Sequence, residues 1–499
     1  MATEDRAEIF VQPNVAAEMK RIVIIGGGIC GLTVAHRLKE LARNTPKQFE
    51  VTLLEASPRL GGIIHTRFVD EFLLELGPDS FISEKPEALN LAKRLGLEAE
   101  LLETNRIHRR SFVVNRGRLR PVPEGFYLLA PSRLLPFLRT DIFSWTGKAR
   151  MLMDLLLPRG INNDDDEALA SFVRRRLGQE ALERMAQPMV GGIFTADPET
   201  LSLRASFPRF LEMERKHRSL IRALKQETVN GNMNATSSGA RYGLFLSFAK
   251  GMQTLVDRIS AELPRSAVQL ESRVTQLAYD HGTNQWSIGL ANESLQADAL
   301  CLALPAPASA ALLRSVDPRL AAELDGIPYA STATINLAYR RSDVAHPLDG
   351  FGFVVPAIEK RSLIACTFSS VKFADRAPSG QVLLRAFVGG ALQPDTFALD
   401  EDEMVQRVER DLRDLLGTRG SARFAEVCKW PSSMPQYLLG HLDRLERIGA
   451  RLTQTPKLWL AGNAYRGAGI PDCVRSGEHT AAKMLTSLNS SPSISPSVG

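Results

Sequence analysis

The stretch RIVIIGGGICGLTVAHRLKELAR, Arg21 to Arg43, decides the fold. It opens with a short apolar run suited to a buried strand and turns through three glycines. It then continues as a helix, with Leu32, Ala35, Leu38 and Leu41 recurring at helical spacing. VTLLEAS (Val51 to Ser57) reads as a second buried strand, so the unit is βαβ-like. GGGICG sets Gly26, Gly28 and Gly31 at the three positions of GxGxxG, with Gly27, Ile29 and Cys30 between them. The first glycine permits a tight turn and the second lets backbone approach a pyrophosphate. The third lets helix and strand pack closely, with phosphate at the helix N-terminus. Glu55 ends the second strand, where a carboxylate can bind a ribose diol. The expectation is a dinucleotide site; a glycine turn without a nucleotide is the alternative.

The residues after Glu55 select the nucleotide. ASPRLGG brings Ala56, Arg59 and the pair Gly61–Gly62 to the same phosphates. NAD dehydrogenases have no general need for this second glycine approach, so FAD is preferred and NAD is the runner-up. In LELGPDSF (Leu74 to Phe81), Gly77 and Pro78 let backbone pass close to a flavin ring. Near the C-terminus, LWLAGNAYRGAGIPDC joins a strand to the last helix through a bare loop. Gly467 and Gly469 bring its backbone to the ring. Pro471 and Asp472 suit a first helical turn, the aspartate complementing the dipole.

Composition excludes several classes. The chain has 499 residues, enough for two or three domains. A net charge of +5 is far from a nucleic-acid binder's excess. Five dispersed cysteines without a CxxC pair argue against a disulfide framework or a metal site and suit a reducing compartment. The first nineteen residues lack the apolar core of a secretory signal, and no apolar run is long enough to span a bilayer. A cytoplasmic protein is expected, so the sequon at Asn234 carries little meaning. No HExxH, GxSxG or P-loop appears. His217 reads as a surface or interface residue and Arg174–Arg176 as a solvated helix face. No side chain is expected to be catalytic; a bound flavin supplies the chemistry.

Between the first βαβ unit and a polar loop, TVNGNMNATSSGAR (Thr228 to Arg241), the chain reads as mostly helical and basic, with a linker at PRGINNDDDE (Pro158 to Glu167). The loop is expected to be mobile. From Leu302 to about Trp430, TATINLAYR, GFGFVVP, LIACTFSS and VLLRAFVGG read as strands of a sheet. The Ser/Pro-rich tail is expected to be disordered.

Taken together, VIIGGGICGL, LLEASPRLGG, LELGPDSF, SFVVNRGRLRPVP, PMVGGIFTADPETLSLRASFP, KHRSLI, MPQYLLGH and AGNAYRGAGIPDC resemble the protoporphyrinogen oxidase family, which includes the bacterial coproporphyrinogen III oxidases. The resemblance runs from about Lys20 to Leu485. It implies a non-covalent FAD that removes six electrons from a porphyrinogen in haem biosynthesis and reduces three O₂ to three H₂O₂. The fold it implies is multidomain, α/β and α+β. A Rossmann-like FAD-binding domain is assembled from 20–103, 241–305 and 450–488. A helical domain at 104–240 faces substrate or membrane, and a mixed-sheet substrate-binding domain spans 306–449. The tails 1–19 and 489–499 are expected to be disordered.

Carried over residue by residue, Gly26 to Gly31, Glu55, Ala56, Gly62, Ile63, Gly77, Pro78, Asp79, Ser80, Val274, Trp430, Ala468, Gly469 and Ile470 match FAD contacts. Gly192, Val354, Thr367 and Phe387 match positions lining a tetrapyrrole cavity. Several members hold a propionate with an arginine six residues before the glycine of RGRL. Here that position is Ser111 and Arg110 is one residue off, so Arg110 is the candidate, beside Arg109, Arg241 and Lys250. The serine and GIPDC look more like the coproporphyrinogen-oxidising branch. Hydride transfer from a methine bridge to flavin N5 is the expected chemistry. Porphyrinogen and O₂ are the expected partners. Peripheral contact with the inner face of the cytoplasmic membrane, a haem-pathway enzyme partner and a homodimer are left open. The stretch Gly125 to Pro158, Leu-, Phe- and Trp145-containing with four basic residues, suits an interface, or else a core or cavity wall. An amine or amino-acid oxidase, a carotenoid-type desaturase and a flavin-binding scaffold are the alternatives.

Overall fold

Lys20–Ile25 is the central strand of a five-stranded parallel sheet in the computed structural model, which describes residues 19–43, 49–160, 165–229 and 245–489. Phe49–Leu54 lies on one side and Ala299–Leu302 on the other, with Ile24 opposite Leu53 and Cys301. Val268–Gln269 and Leu458–Leu460 form the edges. Both faces are covered, so the central strands are apolar without alternation. Ile29–Ala42, Gln253–Glu262 and Ile470–Asn489 share a core with one face. The other face packs on an antiparallel meander, Gln276–Asp280, Gln285–Gly289 and Ser294–Ala297, and on helices Ala306–Leu313, Pro318–Asp325 and His441–Leu452.

A second sheet has seven strands in the order Phe424–Pro435, Tyr329–Arg340, Gln381–Gly389, Ala365–Phe368, Gly352–Val354, Phe112–Asn115 and Arg118–Pro121. It is mixed: Gly352–Val354 runs parallel to Phe112–Asn115 and every other pair is antiparallel. Period-two alternation divides its faces. Ile335, Leu337, Leu384 and Ala386 pack with Met404, Val408 and Leu412 of helix Glu401–Leu416. Thr334, Asn336, Arg385 and Phe387 therefore look the other way, towards the nucleotide-binding half.

The expectation of a helical segment from Thr104 needs correction. Residues 112–121 supply two strands of the seven-stranded sheet, because FVVN offers the aromatic and β-branched side chains a covered strand needs. Helices begin at Leu134 and include Trp145–Leu152, Leu169–Leu177, Gln187–Phe194, Pro208–His217 and Leu220–Val229. They enclose Phe137, Phe172, Met185 and Leu224. From residue 230 onward the expected mobile loop lies outside the described residues, as do residues 1–18 and 490–499.

The three arginines of helix Leu169–Leu177 also depart from expectation. A helix turns about 100° per residue, so three successive side chains cannot share one face. Arg174 is half-buried at the surface and pairs with Glu199. Arg175 makes two-pronged contacts with Glu167 and Glu214. Arg176 is only 1% exposed and binds the fully buried Asp154, whose other oxygen accepts from Ser219 Oγ at 2.6 Å and Ile221 N at 3.1 Å. Asp154→Ala would leave the Arg176 guanidinium buried without its anion and should destabilise the fold by about 3–5 kcal/mol. Arg174→Ala should cost less than about 1 kcal/mol. Thermal melts of both variants beside the wild type check the contrast, and equal melting temperatures would contradict it.

Candidate active site

The glycines of the first turn have different duties. Gly26 has φ +109°, and a Cβ there would lie 2.4 Å from the Ala303 carbonyl oxygen. At Gly31 it would lie 1.9 Å from the Gly26 carbonyl oxygen, so packing alone demands both glycines. A Cβ at Gly28 would meet nothing within 4 Å, although Gly28 caps a helix whose core is buried. No side chain caps that helix. Alongside runs the second glycine turn. Gly61 N donates to the Gly27 carbonyl at 2.8 Å, and a Cβ on Gly62 would meet only Gly28 Cα, at 3.3 Å. Two bare turns and a helix N-terminus thus form a cradle that a side chain would fill and a pyrophosphate fits.

Glu55 stands at its rim. One carboxylate oxygen accepts from Gly27 N at 2.6 Å and the other from Ser57 N at 2.8 Å, leaving lone pairs for a ribose diol. Ala56, Gly62 and Ile63 are exposed around it. The segment that leads to Val274 is tied to the same strand end, with Ser272 N donating to the Glu55 carbonyl at 2.8 Å. Arg59, expected at the phosphates, instead donates to the carbonyls of Leu60, Gly62 and Ile64. It shapes the turn from within.

LELGPDSF joins this cradle to the seven-stranded sheet. A Cβ at Gly77 would lie 1.6 Å from the Ile63 carbonyl oxygen, so only glycine lets the two loops touch. The Leu76 carbonyl accepts from Trp430 Nε1 at 2.8 Å and Thr334 Oγ1 at 2.6 Å. The Gly77 carbonyl accepts from the Arg385 guanidinium. Trp430 therefore fastens the loop. Asp79 accepts from Lys372 Nζ at 3.0 and 2.9 Å and from Ser80 Oγ. Burial alone would raise its pKa, but Lys372 and Arg385 hold the carboxyl well below the usual range. Burial pushes Glu75 up to about 7, against hydrogen bonds from Met252 N and Thr66 Oγ1.

The C-terminal loop is held by a residue to which sequence reasoning gave no role. The Tyr437 hydroxyl accepts from Gly467 N at 3.0 Å and donates to the Asn463 carbonyl. Its ring stacks on His441, centroids 4.4 Å apart, and His441 Nε2 meets the Tyr465 carbonyl at 3.0 Å. Its own carbonyl accepts from Ser202 N at 2.8 Å, so MPQYLLGH fastens the helical layer to the loop. The available signal was that motif, whose hydrogen bonds to Asn463, Gly467, Tyr465 and Ser202 all reach outside it. Asp472 is buried and takes Lys85 Nζ at 2.7 Å and the Arg475 guanidinium, so it does more than complement a dipole. Ala468 packs against the helical core, while a Cβ on Gly469 would meet little beyond Asp472 Oδ2, at 3.3 Å.

On the sheet, Val354 pairs with Ala365, Ala365 with Phe387, and Thr367 with Arg385. Paired residues share a face, so Val354, Thr367 and Phe387 point together. Gly192, on helix Gln187–Phe194, faces them: a Cβ there would lie 3.8 Å from Val354 Cγ1. Arg110 does not join them. It binds Asp349 and lies over the Phe112 ring, which packs into the core behind the sheet. A shift of one residue along an extended strand reverses the face. Arg109 Nε and Ser111 Oγ are buried without a hydrogen-bond partner among the described residues. Lys250 is exposed on a turn, and Arg241 lies outside the described residues.

The model of the family "Flavin containing amine oxidoreductase" matches residues 29–485. The chain is 36% identical over 471 residues to the coproporphyrinogen III oxidase of Bacillus subtilis (strain 168), covering 94% of this chain and 98% of that protein. It is 31% identical to protoporphyrinogen oxidase 1, chloroplastic, of Arabidopsis thaliana, covering 93% and 87%. A crystal structure from Exiguobacterium sp. 255-15, described as a protoporphyrinogen oxidase, matches with a TM-score of 0.82 at 30% identity, over 94% of this chain and 99% of that one. A cradle built for a dinucleotide and a family match over most of the chain agree: this is a flavin oxidoreductase with FAD as cofactor, a member of the flavin-containing amine oxidoreductases and, within them, of the coproporphyrinogen III and protoporphyrinogen oxidase family.

Proposed function

We propose that the enzyme oxidises coproporphyrinogen III, in preference to protoporphyrinogen IX, to the porphyrin with O₂ as acceptor. The observation that carries the reading is one broad sheet face. Phe387, Val354 and Thr367 share it, Gly192 closes on it from the helical layer, and the Gly77–Ser80 loop is pinned to its edge. Such a face suits a flat macrocycle more than a small amine. The preference among porphyrinogens is supported by 36% identity to a coproporphyrinogen III oxidase against 31% to a protoporphyrinogen oxidase.

The Gly26–Gly31 and Gly61–Gly62 turns and Glu55 would hold FAD without a covalent link, and FAD would supply the two-electron acceptor for a hydride from a methine-bridge carbon, with O₂ as the final acceptor and one H₂O₂ for each of three rounds. The chain's own residues position the substrate for this. Phe387 and Val354 hold the macrocycle at near-attack distance, where pre-paid orientation lowers the barrier. Gly192 leaves room that any side chain would reduce. Arg109 offers its unpartnered Nε to a carboxylate, the role that Arg110 cannot take while bound to Asp349. The N-terminus of helix Ile470–Asn489 would favour negative charge on a flavin bound before it, through its dipole.

No helix among the described residues is long and apolar enough to cross a membrane. Leu135, between Arg133 and Arg139 in sequence, Trp145 and Leu156 are exposed on the helical layer and support contact with an anionic bilayer surface. A haem-pathway enzyme docked there, or a second copy, is the other reading of that surface. Co-sedimentation with anionic vesicles should fall on Leu135→Ser/Trp145→Ser; undiminished sedimentation argues against the contact.

The central test is aerobic incubation of the purified holoenzyme with each porphyrinogen. Porphyrin fluorescence should grow with three H₂O₂ per porphyrin and a higher kcat/KM for coproporphyrinogen III. Absence of porphyrin from both would remove the assignment. Phe387→Ala should raise KM roughly tenfold, matching the loss of an aromatic contact worth about 1.5 kcal/mol, with the flavin spectrum unchanged. Gly28→Val should fold, since a Cβ has room there, yet purify without visible flavin absorbance. Full flavin occupancy in that variant would show that the pyrophosphate lies elsewhere.

A further inference from the structure

Behind the pinned loop sit five ionisable side chains whose charges do not cancel. Arg376 is 2% exposed, Arg385 and Glu75 4%, and Lys372 8%; the Asp79 side chain is 16% exposed. Lys372 gives two hydrogen bonds to Asp79, and Arg385 Nη1 lies 3.8 Å from the same carboxylate. Arg385 also holds the Gly77 carbonyl, with Cζ 4.7 Å from the Phe387 ring centroid. Arg376 is satisfied by the carbonyls of Ala249 and Phe248 and the Ser247 hydroxyl, none of them charged. Glu75 accepts from Met252 N and Thr66 Oγ1, not from a cation. Asp375, beside Arg376, is exposed and screened by solvent.

Three buried cations thus face two carboxylates, one of which readily takes up a proton. Arg385 Nε and Oδ1 of its cross-strand partner Asn336 also lack hydrogen-bond partners among the described residues. A buried charge without its opposite is costly, so a site that keeps one is fitted to an anion. Position identifies the anion. From the Gly28 cradle, contacts run through Gly62 and Ile63 to Gly77, and from Gly77 to Arg385 and Phe387. A dinucleotide seated at Gly28 and extended towards the substrate face ends at this group. Uptake of a hydride brings two electrons and one proton to the ring system and adds one negative charge. The oxidised carbon gains a positive charge, which it sheds as a proton.

We propose that Arg385, Lys372 and Asp79 form the counter-charge of the reduced flavin, set so that the protein holds reduced FAD more tightly than oxidised FAD. The proposal rests on the hydride-accepting role given to FAD under the proposed function, but not on which molecule donates the hydride. Arg385 and Lys372 act as positioning residues whose effect reaches the ring as electrostatic potential.

The test is the two-electron midpoint potential of the holoenzyme, read by equilibration with reference dyes in the absence of any porphyrinogen. Arg385→Met and Lys372→Met should each weaken the preference for reduced FAD tenfold or more, a potential about 30 mV more negative. Arg385→Lys should recover most of that change. Asp79→Asn removes a negative charge and should move the potential the opposite way. A packing defect would not reverse sign between these variants. Should Arg385→Met fail to hold FAD, the Lys372→Met and Asp79→Asn pair still delivers the sign test. Unchanged potentials, or shifts of the same sign in Lys372→Met and Asp79→Asn, overturn the proposal. Unchanged potentials with weakened porphyrinogen binding would assign the excess charge to substrate carboxylates instead. The expected shifts in an enzyme that oxidises no porphyrinogen would uphold the counter-charge and overturn the substrate reading.

Discussion

The carbonyl oxygens of Leu76 and Gly77 are where two independently built sheets become one enzyme. Three side chains from three strands of the seven-stranded sheet, Thr334, Arg385 and Trp430, donate to these two oxygens. On its other side the loop touches the turn that carries Gly62. Burial of two backbone carbonyls at such a seam is tolerable only if they are hydrogen-bonded, and each bond therefore fixes a distance between the sheets. The spacing between the phosphate cradle and the Phe387 face is set there. A hydride transfer depends on that spacing far more steeply than on the packing of either half.

The helical layer contributes through a different economy of charge. Asp154 and Arg176 lie at the centre of its core, and each is fully hydrogen-bonded. An apolar pair of the same volume would serve stability as well or better, so the ion pair is better understood as fixing one arrangement of the helices. Gly192 belongs to this layer, and the width of the gap above Val354 depends on that arrangement. Tyr437 then transmits it to the loop before the last helix.

The legibility of each feature in the sequence depends on the range of the interactions that make it. Gly26, Gly28 and Gly31 could be read because their spacing is a pattern six residues long, although the atom that crowds Gly26 belongs to the distant Ala303, and Glu55 because a strand end lies a fixed distance away. The seven-stranded sheet was partly legible from alternation, yet Phe112–Asn115 was lost, because short strands before a helical stretch carry little periodic signal. Arg110 was misplaced because a register error of one residue reverses a strand's face. Arg176 was read as solvated because charge alone does not reveal which side of a helix meets a carboxylate twenty-two residues away. Tyr437, Arg385 and Lys372 act through partners some thirty to three hundred residues distant, which no local pattern encodes.

The edge strand Leu458–Leu460 has a consequence for how the protein is made. It pairs with Ala299–Leu302, and the helix after it packs on Ile29–Ala42, the helix that opens the cradle. The nucleotide half is thus closed by a strand and a helix that lie far along the chain from the glycine turn, and a topology with such distant contacts folds slowly. During translation the glycine turn emerges well before Leu458–Leu460 and Ile470–Asn489, the elements that cover it. Flavin capture is consequently a late event. It distinguishes chains that carry Leu458–Asn489 from chains cut before it, which would expose the apolar flank of the first helix to chaperones and proteases.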